Sequence, residues 1–443
     1  MSVIARSKRI AGMLLACGLF ACATTANAAI EITITKGIQG ARPVAVVPFE
    51  WQGQPGERPD TNVAGVISAD LVRSGHFKSL PPTDMLERPS TPEAINFGNW
   101  RAVGVDDVVI GQIRPSAGGY TIDFRLFDVY TGRQLVGYRL PAAKGSVRQT
   151  AHRIANLIYK ELTGERGAFG TKIAFIESER HGKNTQYSLI ISDADGHNAQ
   201  TIAVSQEPIL SPTWSPDGTR LAYSAFVNHH PGIYVQTLAT GERRQVVKRA
   251  GLNSAPSFSP DGSRLAVVLS SQPGNPDIYI ADLNSGELRQ ITRDPAIETE
   301  PAWMPDGEHL VYTSDRGGSA QIYEQDLDGG EYRRLTFEGS YNARPQVSPD
   351  GKLLGMVHRD RNGDLNIAVM SLQTGALRVL TDGDLDKSPS FAPNGSMIIY
   401  AGVFNGKNEL AAVSVDGNVH QQLTSEEGEI SDPAWGPFPT YEK

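Results

Sequence analysis

The sequence predicts an N-terminal α/β domain followed by a six-bladed β-propeller, with four antiparallel strands per blade and the ring closed by pairing of N- and C-terminal strands. Three observations carry that prediction. A motif of the form x-P-x-[WF]-S-P-D-G returns at a fixed interval through the second half of the chain. Its last copy stops after one strand, while three unmatched strands precede the first copy. The segment before them has no such period and alternates strand with helix patterns.

The repeat reads SPTWSPDG at 211–218, SAPSFSPDG at 254–262, EPAWMPDG at 300–307, RPQVSPDG at 344–351, SPSFAPNG at 388–395 and DPAWGPF at 432–438. Its second proline falls at 216, 260, 305, 349, 393 and 437, so the steps are 44, 45, 44, 44 and 44. Each unit opens with a short strand carrying Trp214, Phe258, Trp303, Val347, Phe391 or Trp435. A Pro-Asp-Gly or Pro-Asn-Gly turn follows, where proline pre-sets the bend and glycine supplies a positive φ. Three more runs of alternating aromatic and β-branched residues complete the unit, as in RLAYS, IYVQTL and RRQVV. Four strands in about 44 residues is one propeller blade.

The blade count comes from the ends. Five units are complete, and the sixth motif supplies only a first strand. KIAFIE at 172–177, YSLIISDADG at 187–196 and AQTIAV at 199–204 supply strands two to four. Together these fragments make a sixth blade, and closing the ring removes edges that would otherwise invite aggregation.

Before the propeller, VAVVPF at 44–49 reads as a buried strand. Val63, Val66, Ile67, Leu71 and Val72 fall on one helical face, with Asp60 as the expected cap. DDVVIGQIR at 106–114 and two strands around Tyr130-Thr131-Gly132 extend the sheet. SVRQTAHRIANLIYKELTG at 146–164 closes the unit as an amphipathic helix, with Ser146 as cap and Gly164 as stop. The expected divisions are 1–28, 29–40, 41–167 and 168–443.

Residues 1–28 read as a secretory signal. Arg6, Lys8 and Arg9 begin it, a run of about 14 apolar or small residues follows, and Ala26-Asn27-Ala28 favours cleavage after Ala28. That run is shorter than the roughly 20 residues a membrane-spanning helix needs. Lipidation at Cys22 is the competing reading, but Phe20 is bulky for a lipobox. The full chain has 443 residues, with 41 basic and 49 acidic side chains and a net charge of −8. Without the leader, 415 residues carry 38 basic against 49 acidic groups, a net charge of −11, and both cysteines, Cys17 and Cys22, are gone. The acidic balance argues against nucleic acid, which needs a basic face. Two cysteines exclude a disulfide scaffold or a four-cysteine zinc site.

Immediately after that site, Ile30, Ile32 and Ile34 alternate with Glu31, Thr33 and Thr35, and Lys36-Gly37-Ile38-Gln39-Gly40 forms a hinge. One reading makes 30–35 an edge strand of the first domain. The other makes it a free arm that adds to a partner's sheet edge. The repeated Asp217, Asp261, Asp306 and Asp350 are expected to cap their own turns. Asp193-Ala194-Asp195-Gly196 and Asp326-Leu327-Asp328-Gly329 lack the further ligands of a calcium loop.

An exported chain, a VVPF-W strand near its start and six such repeats together resemble the TolB family, periplasmic components of Tol–Pal systems in Gram-negative bacteria. The likeness runs from EITITKGIQGARPVAVVPFEW at 31–51 to PAWGPF at 433–438. It implies a monomeric docking scaffold with no catalytic residue, cofactor or metal. Such proteins bind the lipoprotein Pal by the propeller face and TolA by the N-terminal arm, support outer-membrane integrity and cell division, and are used by some bacteriocins for entry. By position, the arm comprises Ala29, Ile30, Glu31, Ile32, Thr33, Ile34, Thr35, Lys36 and Gly37. The Pal face comprises the loops into each first strand: Leu252, Asn253 and Ser254; Glu298, Thr299 and Glu300; Asn342 and Arg344; Asp386, Lys387 and Ser388. If the arm folds back on the first domain when Pal is absent, the two partners would be linked.

Two rival readings remain, a peptidase-like and a carbohydrate-binding propeller. The first needs a G-x-S-x-G nucleophile elbow, and Gly317-Gly318-Ser319-Ala320-Gln321 is not one. The second needs aromatics displayed in loops, where Tyr341 is the main candidate.

Overall fold

The computed structural model describes residues 30–37, 40–270, 275–328, 330–425 and 428–440. The leader with its cleavage site and Ala29 lie outside the described residues, as do Ile38 and Gln39 of the hinge.

The first unit is built on one mixed sheet. Arg42–Val46 lies between Phe77–Ser79 and Asp107–Ser116 and runs parallel to both. Gly119–Asp128 and Gln134–Ala143 continue the sheet antiparallel. Alternation along the first strand sends Val44 and Val46 to one apolar cluster and Ala45 and Val47 to another. A strand buried on both faces needs that unbroken apolar run. Helices α1 (Val63–Arg73) and α3 (Val147–Thr163) cover the first face. The short α2 (Phe97–Ala102) covers the other through Trp100.

Two caps differ from expectation. Asn62, not Asp60, caps α1, its side chain accepting from the Gly65 N–H at 3.1 Å. Asp60 lies two residues before the cap position, too early to reach the first free amides. At α3 the Ser146 hydroxyl turns back to the Ala143 carbonyl, because a 3₁₀ turn at Lys144–Ser146 already leads into the helix. Gly164 ends α3 as expected, at φ 80°.

The propeller has six four-stranded blades. The inner strands are Ile209–Trp214, Asn253–Phe258, Glu298–Trp303, Asn342–Val347, Lys387–Phe391 and Glu429–Trp435. The last of these pairs antiparallel with Lys172–His181, from Glu429↔Ser178 to Trp435↔Ile173, so blade one is made from both ends of the propeller. The other five inner strands open blades two to six in order. The Pro-Asp-Gly turns close at one end of the ring, here the turn end, and the loops entering the inner strands lie at the other, the loop end.

The turn aspartates cap their own backbone. Asp217 accepts from Thr219 N–H at 3.0 Å and Asp350 from Lys352 N–H at 3.1 Å. Hydrogen bonds from Ser259 and Ser263 hold the Asp261 carboxyl down to about 2. In blades two and three an arginine after the turn ties one blade to the next. Arg220 donates to the Gly262 carbonyl at 2.9 Å and stacks 5.3 Å from the Phe258 ring centre. Arg264 repeats this on Gly307 and Trp303. The aromatics pack between blades: the Trp303 indole donates to the Ser257 carbonyl at 3.0 Å.

Removing residues 429–443 deletes the closing strand and bares the Lys172–His181 edge. The shortened protein is expected to lose cooperative thermal unfolding and to self-associate. A single sharp transition with a monomeric elution volume would contradict the ring-closure account.

Candidate functional site

The inner strands surround an axial channel with a cavity of about 730 Å³. In each strand the residue before the first proline has a positive φ: Ser211, Ala255, Glu300, Arg344, Ser388 and Asp432, between 47° and 55°. A non-glycine side chain reaches that region at a cost, and a residue before proline ordinarily prefers an extended backbone. The register of every inner strand slips at this point, for example between Ala343 and Gln346. These bulges turn the six side chains towards the axis, and all six line the cavity.

Five of the six are joined in a polar belt. Arg344 Nε lies 2.9 Å from Glu300 Oε1, and Glu300 Oε2 accepts from the Arg344 backbone N–H at 2.9 Å. The same guanidinium donates to Ser388 Oγ and reaches Asp432 Oδ1 at 3.4 Å. Ser388 Oγ donates to Asp432 Oδ1 at 2.8 Å, and Asp432 Oδ2 accepts from Ser211 N–H at 3.2 Å. Only Ala255 contributes no polar side chain. Burial works against the charge on Arg344, but Glu300 and Asp432 outweigh it and hold the guanidinium above its ordinary value. The belt thus links blades four, five, six, one and two around the axis.

The predicted loop triplets divide by depth. Leu252 is exposed at the rim; Ser254, Thr299, Glu300, Arg344 and Ser388 line the channel; Lys387 is half-buried. Asn253, Glu298, Asn342 and Asp386 do not face solvent: all four are buried. Alternation along the inner strand turns this position between blades, where the side chain fixes the loop. Asn253 donates to the Arg249 and Gly251 carbonyls at 2.8 and 3.1 Å. Glu298 accepts from Ser314 and Arg316. Asn342 donates to Gln321 and the Glu338 carbonyl.

Sequence reasoning passed over the rim apolar residues. Ile297, Phe337 and Leu385 are exposed beside Leu252, Phe337 by 74%. Phe337 stood out only as an aromatic in a loop, the signal already noted for Tyr341. The pre-proline position of the repeat could have revealed the belt, because it alone varies among Ser, Ala, Glu, Arg and Asp.

The arm departs from the first-domain reading. Ile30–Lys36 pairs antiparallel with His420–Ser425, the outer strand of blade six, from Ile30↔Ser425 to Lys36↔His420. It therefore extends a sheet of the chain's own propeller, not that of the first domain. Ile32 packs on the blade core, and Lys36 Nζ donates to the Gly417 carbonyl at 3.3 Å.

The first domain sits against the turn end of blades one and six. Asn394 of the Pro-Asn-Gly turn donates to the Arg166 carbonyl at 2.9 Å, and Gln421 donates to the Arg73 carbonyl at 2.6 Å. Arg166 lies 3.5 Å over the Phe438 ring centre, and both line the channel. The loop-end rim is left uncovered by the first domain. Among the described residues one group of three could approach a metal, Asp70, His152 and Asp195. It lies between the two domains, and each of its carboxylates already carries an arginine. Among the described residues no helix is long and apolar enough to cross a membrane.

A closed six-bladed propeller with an appended α/β domain and a terminal strand docked on its last full blade defines a two-domain β-propeller protein. The family model described as TolB beta propeller domain matches residues 159–439, and that of the TolB amino-terminal domain matches 30–135. Tol-Pal system protein TolB of Thioalkalivibrio sulfidiphilus is 53% identical over 415 residues, covering 93% of this chain and 95% of the relative. Its counterpart in Methylococcus capsulatus is 53% identical over 410 residues, with 93% and 95% covered. The crystal structure of TolB from Acinetobacter baumannii superimposes with a TM-score of 0.85 at 38% identity, covering 92% of this chain and 100% of that one. The chain belongs to the TolB family of Tol–Pal system proteins.

Asp386 provides a pH test of the buried loop set. Burial raises its carboxyl from 3.8 to about 6. Below about pH 4 both folded and unfolded chains hold the proton; between about 4 and 6 chiefly the folded chain holds it. Stability therefore falls as pH rises through that window, by about 1.4 kcal/mol per unit and roughly 2–3 kcal/mol in all. Asp386→Asn should not show this fall. Urea unfolding at pH 4, 5.5 and 7 checks it: parallel trends for both proteins would refute the assignment.

Proposed function

We propose that the protein is a non-enzymatic periplasmic scaffold that binds Pal at the loop end of the propeller and TolA through residues 29–40, supporting outer-membrane integrity and cell division. One observation carries the reading. The chain's own α/β domain covers the turn end, leaving the loop-end rim to a second protein, while the terminal strand lies apart on the outer edge of blade six. Export through a leader cleaved after Ala28, a division near residues 167–168 and use of the same face by bacteriocins belong to this reading.

The Pal surface combines an apolar arc with a polar well. Leu252, Ile297, Phe337 and Leu385 offer exposed apolar contact, and the belt of Glu300, Arg344 and Ser388 offers charge beneath them. An aromatic anchor ringed by polar groups is the usual make-up of a binding hot spot. Against catalysis, the belt's side chains already satisfy one another, and no nucleophile–base pair is left poised among them. Phe337 gives the carbohydrate reading a loop aromatic, but Arg334 already lies 5.2 Å over its ring centre.

The TolA surface is an alternating strand behind a glycine hinge. Such a strand can exchange one sheet edge for another, because main-chain hydrogen bonds supply most of the attraction. Docking on blade six and docking on TolA use the same edges and exclude each other.

Two measurements test the reading. Deleting residues 29–40 should abolish capture of the TolA periplasmic domain and leave Pal affinity within a few fold; equal loss of both would defeat the separation of sites. Phe337→Ala should weaken Pal binding by about tenfold or more, as loss of an aromatic anchor does, without changing TolA capture. Calorimetric titration with each purified partner reads both outcomes, and an unchanged Pal affinity would remove the rim from the interface.

A further inference from the structure

We propose that His152 is a protonation-operated latch between the α/β domain and the propeller, tightening their docking when its second ring nitrogen takes a proton. His152 lies on α3 and is 2% exposed. Its Nδ1 is 2.6 Å from Asp70 Oδ2 on α1, so that nitrogen donates within its own domain. Its Nε2 points the other way, 3.5 Å from Asp195 Oδ2 in the outer turn of blade one. That nitrogen is buried and has no hydrogen-bond partner.

The two protonation states have opposite consequences for docking. Neutral imidazole, with its proton on Nδ1, presents a bare lone pair to a carboxylate oxygen across the domain boundary. Both atoms are acceptors, and neither is satisfied by the other. A proton on Nε2 replaces that opposition with a charge-assisted bond from α3 to the propeller. Asp195 is a constant partner for it. Burial works against its charge, yet Arg73, His152, Arg148 and His197 together hold its carboxyl at about 2. It stays ionised over the range in which an imidazole exchanges its proton.

The charged surroundings are compact. Arg73 Nη2 donates to Asp70 Oδ1 at 2.9 Å, and Arg148 pairs with Asp195. His197 Nδ1 lies 3.5 Å from Asp195 Oδ1 on the exposed side of the turn. Lys172 and Asp193, 2.8 Å apart, border the cluster from the propeller. Two guanidinium groups balance two carboxylates, so a divalent cation in the same gap would add more uncompensated charge than a single proton. Elsewhere the boundary is held by amide hydrogen bonds from Gln421 and Asn394 and by packing of Gly75 against Val419. His76 faces Asp416 at the same boundary.

Both cysteines lie within residues 1–28, so the chain without them accepts two site-specific spin labels, through Glu93→Cys and Thr240→Cys. Electron–electron distance measurements at pH 8 and pH 5.5 then report how tightly the domains are held. The expected result is a distribution narrower at pH 5.5, unchanged by His76→Gln or His197→Gln. His152→Gln should keep the pH 8 width at both values, and so should Asp195→Asn, which decides the matter if the helix variant fails to fold. Equal widths at the two pH values, or a response that survives Asp195→Asn, would overturn the latch. So would narrowing produced at pH 8 by zinc chloride and not by acid.

Discussion

The ring holds because its last inner strand, Glu429–Trp435, hydrogen-bonds to Lys172–His181 rather than to a strand of its own unit. Five blades and two fragments would otherwise form an open arc with long bare edges at both ends. Closure places six inner strands around one axis, which turns a repeated pre-proline residue into a ring. It also brings Asp432 of the closing strand within reach of Arg344, two blades away. The belt is thus a consequence of closure, and it strengthens closure by tying the first and last parts of the propeller through charged side chains.

The same repeat serves three purposes at three depths. At the turn end, the Pro-Asp-Gly turns close the hairpins, and Arg220 and Arg264 lock blade two to three and three to four through a glycine carbonyl and an aromatic ring. In the channel, the bulged residue faces the axis. At the loop end, the residue two places earlier is buried between blades and holds its loop. Only the first purpose needs a constant residue. The channel and loop positions can vary as long as their neighbours answer them, which is why Glu300, Arg344, Ser388 and Asp432 differ yet form one network.

That division explains what could be read from sequence. The 44-residue period, the split blade and the turn aspartates were legible, because constant geometry demands constant residues. The α/β unit was legible in outline through Val44–Val47 and the α1 and α3 stripes. The caps were not, because Asn62 and Asp60 are equally good cap residues and only the register of the first turn separates them. Within Leu252-Asn253-Ser254 and its counterparts, adjacent polar residues face solvent, core and channel in turn. Composition cannot distinguish these destinations; strand alternation and a bulge decide them. The arm was legible as a strand, but its partner was not, since an alternating strand fits any free edge.

Blade six has a particular place among the blades. Its inner strand supplies Ser388 to the belt, its Pro-Asn-Gly turn and outer strand supply the Asn394 and Gln421 contacts to the α/β domain, and the same outer strand carries the arm. Gln421 does two of these at once, pairing its backbone with Ile34 and donating its amide to Arg73. Yet the arm completes nothing. Blades one to five end on outer strands with no further partner among the described residues, so blade six without the arm would be a blade like the others. The arm's side-chain contribution is modest, since Ile32 and Ile34 are only half-buried. A terminal strand held mainly by edge hydrogen bonds, on a sheet already complete without it, belongs to the low-stability part of a structure that opens first. The propeller can therefore release the arm without loosening its own core, and the cost of release is confined to one edge.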